Sequence, residues 1–164
     1  MEVISKLNFS YLLKRPFALL AFGFGSGLSP VMPGTLGTLV AVPLYLVLMH
    51  FPPELYATFV GVAAFAGVYI CGRTSSDLGV HDHPGIVWDE FVGFWITMAA
   101  APQGWHWLVL GFIIFRIIDI VKPWPINLAD KHIHGGFGIM LDDVLAGFGA
   151  FACLQAAVFF WSFF

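Results

Sequence analysis

Two stretches of the chain, residues 55–72 and 144–164, contain no charged residue over a length close to that of a bilayer. A membrane-spanning helix needs about 20 mostly apolar residues, and somewhat shorter ones are accommodated by local thinning of the bilayer. Only 10% of all residues are charged, whereas a soluble domain has about 25%. An apolar soluble bundle is the alternative, but it would need more polar surface. We therefore predict an all-α, polytopic membrane helix bundle, built as a single domain over residues 1–164.

Further apolar stretches complete the predicted bundle. Residues 17–28 are too short and too rich in glycine to span, so we expect a short N-terminal re-entrant or interfacial segment there. Pro84 suits the first turn of a helix, and Pro43 lies where it would kink one. Five spans result, or four if the first is re-entrant. The three additional spans are predicted at 36–51, 84–101 and 105–121.

Basic residues predict the orientation. Apart from Arg116, every Lys and Arg lies in the tail 1–15 or in the connections 72–83 and 122–141. The positive-inside rule places these segments in the cytoplasm, with the C-terminus outside. The net charge of −3 offers no basic surface for a nucleic acid. The expected partner is the lipid bilayer.

Acidic residues gather at the same end. Glu90 and Arg116 lie equally far from Gln103, the middle of a predicted hairpin, so antiparallel helices bring them to one depth. Asp119 shares the helix face of Arg116. Buried ionisable groups usually face an interior site, whereas membrane-edge solvation explains Asp77 and Asp130. Several acids around one arginine suggest a site for a divalent cation together with an anion. These acids are Asp89, Glu90, Asp119, Asp142 and Asp143.

Oxygen ligands favour Mg²⁺ or Mn²⁺ over zinc. The alternative is a zinc site at His81, Asp82 and His83, although histidines two positions apart in a loop are a weak signal.

A glycine-rich segment, GFGSGLSPVMPGTLGT at 23–38, opens a helix on the cytoplasmic side. Backbone N–H groups at such a helix start favour a phosphate group. Glycines also permit close helix packing in membranes, which leaves the segment ambiguous. Lys122 is likewise either a phosphate contact or a snorkelling residue at the interface.

Four motifs occur in order along the chain: GFGSGLSPVMPGTLGT at 23–38, GVHDHPGIVWDEFVG at 79–93, FRIIDIVKPWPI at 115–126 and HGGFGIMLDDVLAG at 134–147. Together they resemble the phosphatidylglycerophosphatase A family, bacterial membrane enzymes that remove the terminal phosphate of phosphatidylglycerophosphate. The resemblance implies a Mg²⁺-dependent lipid phosphatase of the inner membrane, acting in phosphatidylglycerol synthesis. It also implies one central helix wrapped by others.

Roles for individual residues follow as hypotheses for a phosphate monoester hydrolase. We assign Mg²⁺, with Mn²⁺ as a substitute, to Asp89, Glu90, Asp142 and Asp143, with Asp82 as a further candidate ligand. Substrate binding is assigned to Arg116, Lys122, Gly34 and Thr35. The predicted catalytic group is Arg116, Asp119 and Asp143, with Asp119 orienting or deprotonating the attacking water. An aspartyl-phosphate intermediate is the alternative route.

Two rival functions use the same residues. A proton- or cation-coupled transporter would use the acids as a relay, but the outer halves of the predicted spans are apolar. The second rival function is that of a structural subunit that binds a lipid headgroup.

The predicted topology is testable by cysteine labelling. Because the hairpin around Gln103 is expected outside, Gln103→Cys should react with an impermeant maleimide added to intact cells. Asp77→Cys should react only after permeabilisation. Labelling of Asp77→Cys from outside would contradict a cytoplasmic site.

Overall fold

The computed structural model of the protein describes residues 7–80 and 82–163, with the backbone alone for 129–131. Residues 1–6 of the predicted tail, His81 and the side chain of Asp130 fall outside this description. Within it the chain is all-α, as predicted, and has no strand. The elements are α1 Phe9–Leu13, α2 Pro16–Ala21, a 3₁₀ segment Gly23–Leu28, α3 Pro33–Leu48, α4 Pro53–Leu78, α5 Trp88–Thr97, α6 Trp105–Val121, α7 Ile126–His132 and α8 Gly135–Trp161.

Proline and left-handed residues mark several helix ends. Pro33 and Pro53 stand in the first turns of α3 and α4, where their missing N–H groups have no partner to lose. Gly79, with φ 69°, ends α4 in the left-handed conformation that glycine adopts without strain. Pro43 lies inside α3 without ending it.

Helix α5 is the centre of the bundle, and helices α3, α4, α6 and α8 pack around it. Most of its residues are buried, and Phe91 and Phe94 are fully so. Its two tryptophans donate their indole N–H groups to neighbouring helices, Trp88 to the Ala63 carbonyl and Trp95 to the Ala41 carbonyl. A buried indole needs such a partner. The ring of helices therefore holds α5 by specific hydrogen bonds as well as by apolar packing.

Helices α5 and α8 approach each other closely at two glycines. A Cβ atom at Gly147 would lie 2.6 Å from the Gly93 carbonyl oxygen, and one at Gly93 would lie 2.7 Å from the Asp143 carbonyl oxygen. Thr97 donates to the Gly147 carbonyl at 3.4 Å. Small residues let membrane helices pack at this distance. This contact fixes the rotation of α8 against α5.

Two helices, α4 and α8, are long and apolar enough to cross a membrane. Large apolar side chains cover their outer faces; Phe65 is 84% exposed and Phe148 59%. Soluble proteins rarely expose so much contiguous apolar surface, whereas lipid-facing helices do.

Several helix bounds differ from the predicted spans. Helix α3 lies three residues earlier than predicted, and α4 continues to Leu78 rather than to 72. The predicted span 84–101 contains only the short helix α5, and Pro84 lies in the loop before it. The last helix begins at Gly135 rather than at 144. Helix α5 need not have the length of a membrane span, because α3, α4, α6 and α8 surround it.

The close contact of α5 and α8 predicts a stability difference between two glycine variants. Gly147→Ala should lower the free energy of unfolding by about 1–3 kcal/mol, since its methyl group overlaps the α5 backbone. Gly61→Ala on α4 is the matched control, because a Cβ there meets no atom within 4 Å. Thermal unfolding in detergent measures both. Equal Tm values for the two variants would contradict the packing described.

Candidate functional site

The first turn of α5 presents two adjacent acids, Asp89 and Glu90. The Val87 N–H donates to the Ala21 carbonyl at 2.8 Å, which holds the start of the helix against α2. The Glu90 N–H donates to Asp89 Oδ1 at 3.1 Å. Acids in a first turn also face the positive end of the helix dipole. The sequence therefore anchors both carboxylates on rigid backbone.

Helix α8 contributes a second acidic pair, and the two members point to different places. Asp143 joins Asp89 and Glu90, so that one oxygen from each lies within 4.8 Å of the others. Asp142 instead pairs with Lys122, whose Nζ lies 2.5 Å from Asp142 Oδ2. Adjacent residues on a helix are about 100° apart, so both cannot face one point. The prediction had both acids opening the helix, but they lie inside it.

Arg116 of α6 is the cation of the site. Its Nη1 donates to Asp119 Oδ2 at 2.5 Å and lies 3.8 Å from Glu90 Oε1. The predicted meeting of Glu90 and Arg116 at one depth is thus confirmed. The Nε of Arg116 and the Oε2 of Glu90 are both buried without a hydrogen-bond partner. Each is a polar atom that a ligand would satisfy.

The start of α3 lies against this charged group. A Cβ atom at Gly34 would overlap the Glu90 carboxylate and would lie 3.1 Å from Arg116 Nη2. Any larger residue here would force the Glu90 carboxylate to move. Gly34 of the glycine-rich motif is therefore a position of close approach. Its lack of a side chain also leaves the backbone at the N-terminus of α3 beside the acids.

These elements enclose a cavity of about 300 Å³, hereafter the acid cavity. Asp82 lines its rim with an exposed side chain. Lys122 and Asp142 do not line it, although Asp142 remains within electrostatic range of Asp89. The structure thus brings together most of the predicted site residues: Gly34, Thr35, Asp82, Asp89, Glu90, Arg116, Asp119 and Asp143.

The donor set of the acid cavity fits a hard divalent cation. Asp89 lies beside Glu90 and Asp143 beside Asp119, so that four carboxyl groups meet in two close pairs. Such contacts require a shared proton or a cation. All the donors are oxygens, and one of them, Glu90 Oε2, has no partner. Asp89, Glu90 and Asp143 could therefore hold a metal ion of the Mg²⁺ type.

The alternative zinc site gains no support. His81 lies outside the described residues, and His83 lines a different cavity. Its Nδ1 accepts the Gly85 N–H at 3.0 Å. Burial lowers the pKa of His83, and neighbouring Asp82 opposes this only in part. The ring is accordingly neutral at neutral pH, with its hydrogen on Nε2.

Thr38 is a site residue that the sequence predictions missed. Its hydroxyl is fully buried, donates to the Gly34 carbonyl at 2.9 Å and accepts from Arg116 Nη1 at 3.4 Å. It holds Arg116 beside the start of α3. The available signal was its position one helical turn after Gly34, which puts both on one face.

Known proteins resemble the chain over most of its length. Residues 19–158 match the family Phosphatidylglycerophosphatase A. Phosphatidylglycerophosphatase A of Escherichia coli (strain K12) is 52% identical over 136 residues, which cover 82% of this chain and 79% of the relative. The protein of that name from Haemophilus influenzae is 46% identical, covering 82% and 83% respectively.

A third relative, from Bacteroides thetaiotaomicron, is 39% identical over 156 residues, covering 88% of this chain and 97% of the relative. It is provisionally named a phosphatidylinositol-3-phosphatase. No solved structure matches the chain at a significant level.

The fit of the acid cavity to a cation predicts a metal-dependent stability. Mg²⁺ at about one hundred times its Kd should raise the free energy of unfolding by about 2.7 kcal/mol. Glu90→Gln and Asp143→Asn should abolish this increase, because each removes a ligand charge. Asp77→Asn, in an exposed pair with Arg73, is the control and should keep it. Thermal unfolding with and without Mg²⁺ gives the comparison, and an undiminished increase in both site variants would contradict the assignment.

Proposed function

The chain belongs to the phosphatidylglycerophosphatase A family, and we propose from this premise how its acid cavity works. Its reaction is hydrolysis of the terminal phosphate monoester of phosphatidylglycerophosphate, which gives phosphatidylglycerol and inorganic phosphate. The chain is therefore a phosphoric monoester hydrolase. The observation that supports this function at the residue level is the convergence of Asp89, Glu90 and Asp143 with Arg116 in one cavity.

Asp89, Glu90 and Asp143 are the proposed Mg²⁺ ligands, with Mn²⁺ as a substitute. Bound there, the cation would neutralise charge on the phosphoryl group, which is needed because uncatalysed monoester hydrolysis is among the slowest reactions known. Asp82 also lines the cavity, outside this group of three, and is proposed as a further ligand. Asp142 pairs with Lys122 and is proposed to support Asp89 by its charge rather than by direct ligation.

Arg116 is the proposed clamp for the phosphoryl oxygens. Its guanidinium is held by Asp119 and Thr38, while its buried Nε has no partner among the protein atoms. A planar guanidinium offers two parallel donors to a phosphate. The backbone at Gly34 and Thr35, at the start of α3, adds a favourable dipole for the same anion. Lys122 stands farther out, so its contribution is attraction of the anionic substrate toward the cavity.

Asp119 is the proposed base for the attacking water. It lies between Arg116 and Asp143 and contacts both. In this position one carboxylate both orients the clamp and receives the proton of the water as its oxygen bonds to phosphorus. The ester bond to the glycerol oxygen then breaks, and that oxygen is protonated as phosphatidylglycerol leaves.

The proposed setting is the bacterial inner membrane, with the acid cavity facing the cytoplasm. Helices α4 and α8 would cross the bilayer, with α3 and α6 beside them and α5 enclosed. The short elements α1, α2 and the 3₁₀ segment would lie at the interface, where Phe17 and Phe24 are 43% and 46% exposed. Amphiphilic headgroups would then meet the cavity at their own depth.

The family membership decides against a transporter, the alternative function predicted from the sequence. It would need polar groups along the whole bundle. In the described part of the chain the buried acids lie near one end, and the acid at the opposite end of α4, Glu54, is exposed. This distribution favours hydrolysis.

Phosphate release from phosphatidylglycerophosphate by the purified protein tests the function. We expect activity with Mg²⁺ and none in excess chelator. Arg116→Gln should lower turnover by at least about 100-fold, and Arg116→Lys should retain more, because lysine keeps the charge but not the planar fork. Asp89→Asn, Glu90→Gln, Asp119→Asn and Asp143→Asn should also be strongly impaired.

Asp77→Asn is the matched control and should stay within about twofold of the wild type. Asp130→Asn is expected to behave likewise. Folding is compared through the Tm of each variant. A folded Arg116→Gln protein with near-normal turnover would exclude the clamp role.

A further inference from the structure

A second cavity, of about 380 Å³, lies directly beside the acid cavity. Pro33 and Pro84 line both cavities, so these two prolines form the ridge between them. The function proposed above uses only the first. Both volumes are in the range of small-molecule sites, about 300–1,000 Å³.

The wall of the second cavity is built by two loops that meet backbone to backbone. A Cβ atom at Gly85 would lie 2.6 Å from the Gly27 carbonyl oxygen, and one at Gly27 would overlap the Gly85 backbone. The ring of Phe22 packs against the same place, and it lies 5.6 Å from the ring of His83. Glycine at both positions permits this contact, which places backbone of both segments in one wall of the cavity.

In the wall of the second cavity, His83 is the polar side chain that can offer a hydrogen-bond donor to a ligand. Its Nδ1 accepts the Gly85 N–H, so Nε2 is the ring nitrogen that can donate to a ligand. The hydroxyl of Ser29, the other polar side chain there, is already used, since it donates to the Val31 carbonyl at 2.8 Å. One donor in a largely apolar pocket suits a ligand with a single anionic or polar group next to carbon.

The mouth of the two cavities carries exposed apolar residues. Val31 and Met32, in the loop before α3, are 67% and 60% exposed, and Met32 also lines the acid cavity. Such side chains beside a polar pocket are compatible with a ligand whose remainder lies in lipid.

We propose that the second cavity binds the glycerol and phosphodiester portion of the lipid substrate, with His83 Nε2 donating to a phosphodiester oxygen. This inference rests on the proposed function. The substrate carries its phosphodiester one glycerol unit from the monoester, and the two cavities lie one ridge apart. His83 would thus be a specificity-determining residue that separates this substrate from lipids whose monoester has no phosphodiester beyond it.

Two substitutions separate ligand binding from loop support. His83→Asn keeps an acceptor near the position of Nδ1 for the Gly85 N–H but loses the outer donor. His83→Gln places its amide nearer to Nε2 and keeps that donor. His106→Asn, at the exposed start of α6 at the opposite end of the bundle, is the control.

Isothermal titration in detergent with short-chain phosphatidylglycerol, which has the phosphodiester and glycerol but no monoester, measures the site directly. His83→Asn should weaken its binding about tenfold, the loss of one charge-assisted hydrogen bond. His83→Gln and His106→Asn should bind nearly as the wild type does. Inorganic phosphate, which addresses the acid cavity, should bind all four proteins alike.

Turnover of phosphatidylglycerophosphate supplies the second measurement. The KM of His83→Asn should rise with little change in kcat. Wild-type protein that does not bind phosphatidylglycerol, or His83→Asn that binds it normally, would overturn the proposal. Normal phosphatidylglycerol binding by His83→Asn together with weakened binding by His83→Gln would also overturn the proposal. That result would mean that His83 supports the loop through Nδ1 and does not bind the ligand. Absence of any phosphate release by the wild type would instead refute the proposed function, independently of the titration.

Discussion

The compensation of buried carboxylates is the constraint on which the rest of this structure depends. Asp89, Glu90, Asp119 and Asp143 meet inside an apolar bundle, and Arg116 is the cation that touches this group. Charges in such surroundings are tolerated only when they are paired, protonated or bound to a cation. Gly34 serves the same need, because the absence of a side chain there lets Glu90 and Arg116 approach the start of α3.

The short helix α5 places this chemistry inside the bundle. A helix of its length, 10 residues, rises about 15 Å and covers only half of the hydrocarbon core. It can be short because α3, α4, α6 and α8 surround it, and because its tryptophan N–H groups find carbonyl partners on α3 and α4. Its first turn consequently lies within the protein, where neighbouring helices enclose Asp89 and Glu90.

The two neighbouring cavities give a physical basis for acting on a lipid with two phosphates. The acid cavity combines one guanidinium with carboxylates that could hold a cation. The guanidinium and that cation would suit the negative charge that develops on a transferred phosphoryl group. The second cavity is mainly apolar with one outward donor, which suits a singly charged diester. Glycine shapes both: Gly27 and Gly85 let two backbone segments meet at the second cavity, and Gly34 leaves room for the side chains of Glu90 and Arg116 at the acid cavity.

The sequence by itself determined the helical class, the acidic and glycine-rich motifs and the meeting of Glu90 with Arg116, because periodicity, composition and hairpin symmetry are local properties. Only the tertiary structure decided which of two adjacent acids enters the cavity. Asp143 does so and Asp142 pairs with Lys122, since the rotation of α8 is fixed by its contact with Gly93 on another helix. The role of Thr38 and the cavity beside His83 have the same origin. Each depends on residues far apart in the chain, whose relative positions follow from packing and not from any pattern within one segment.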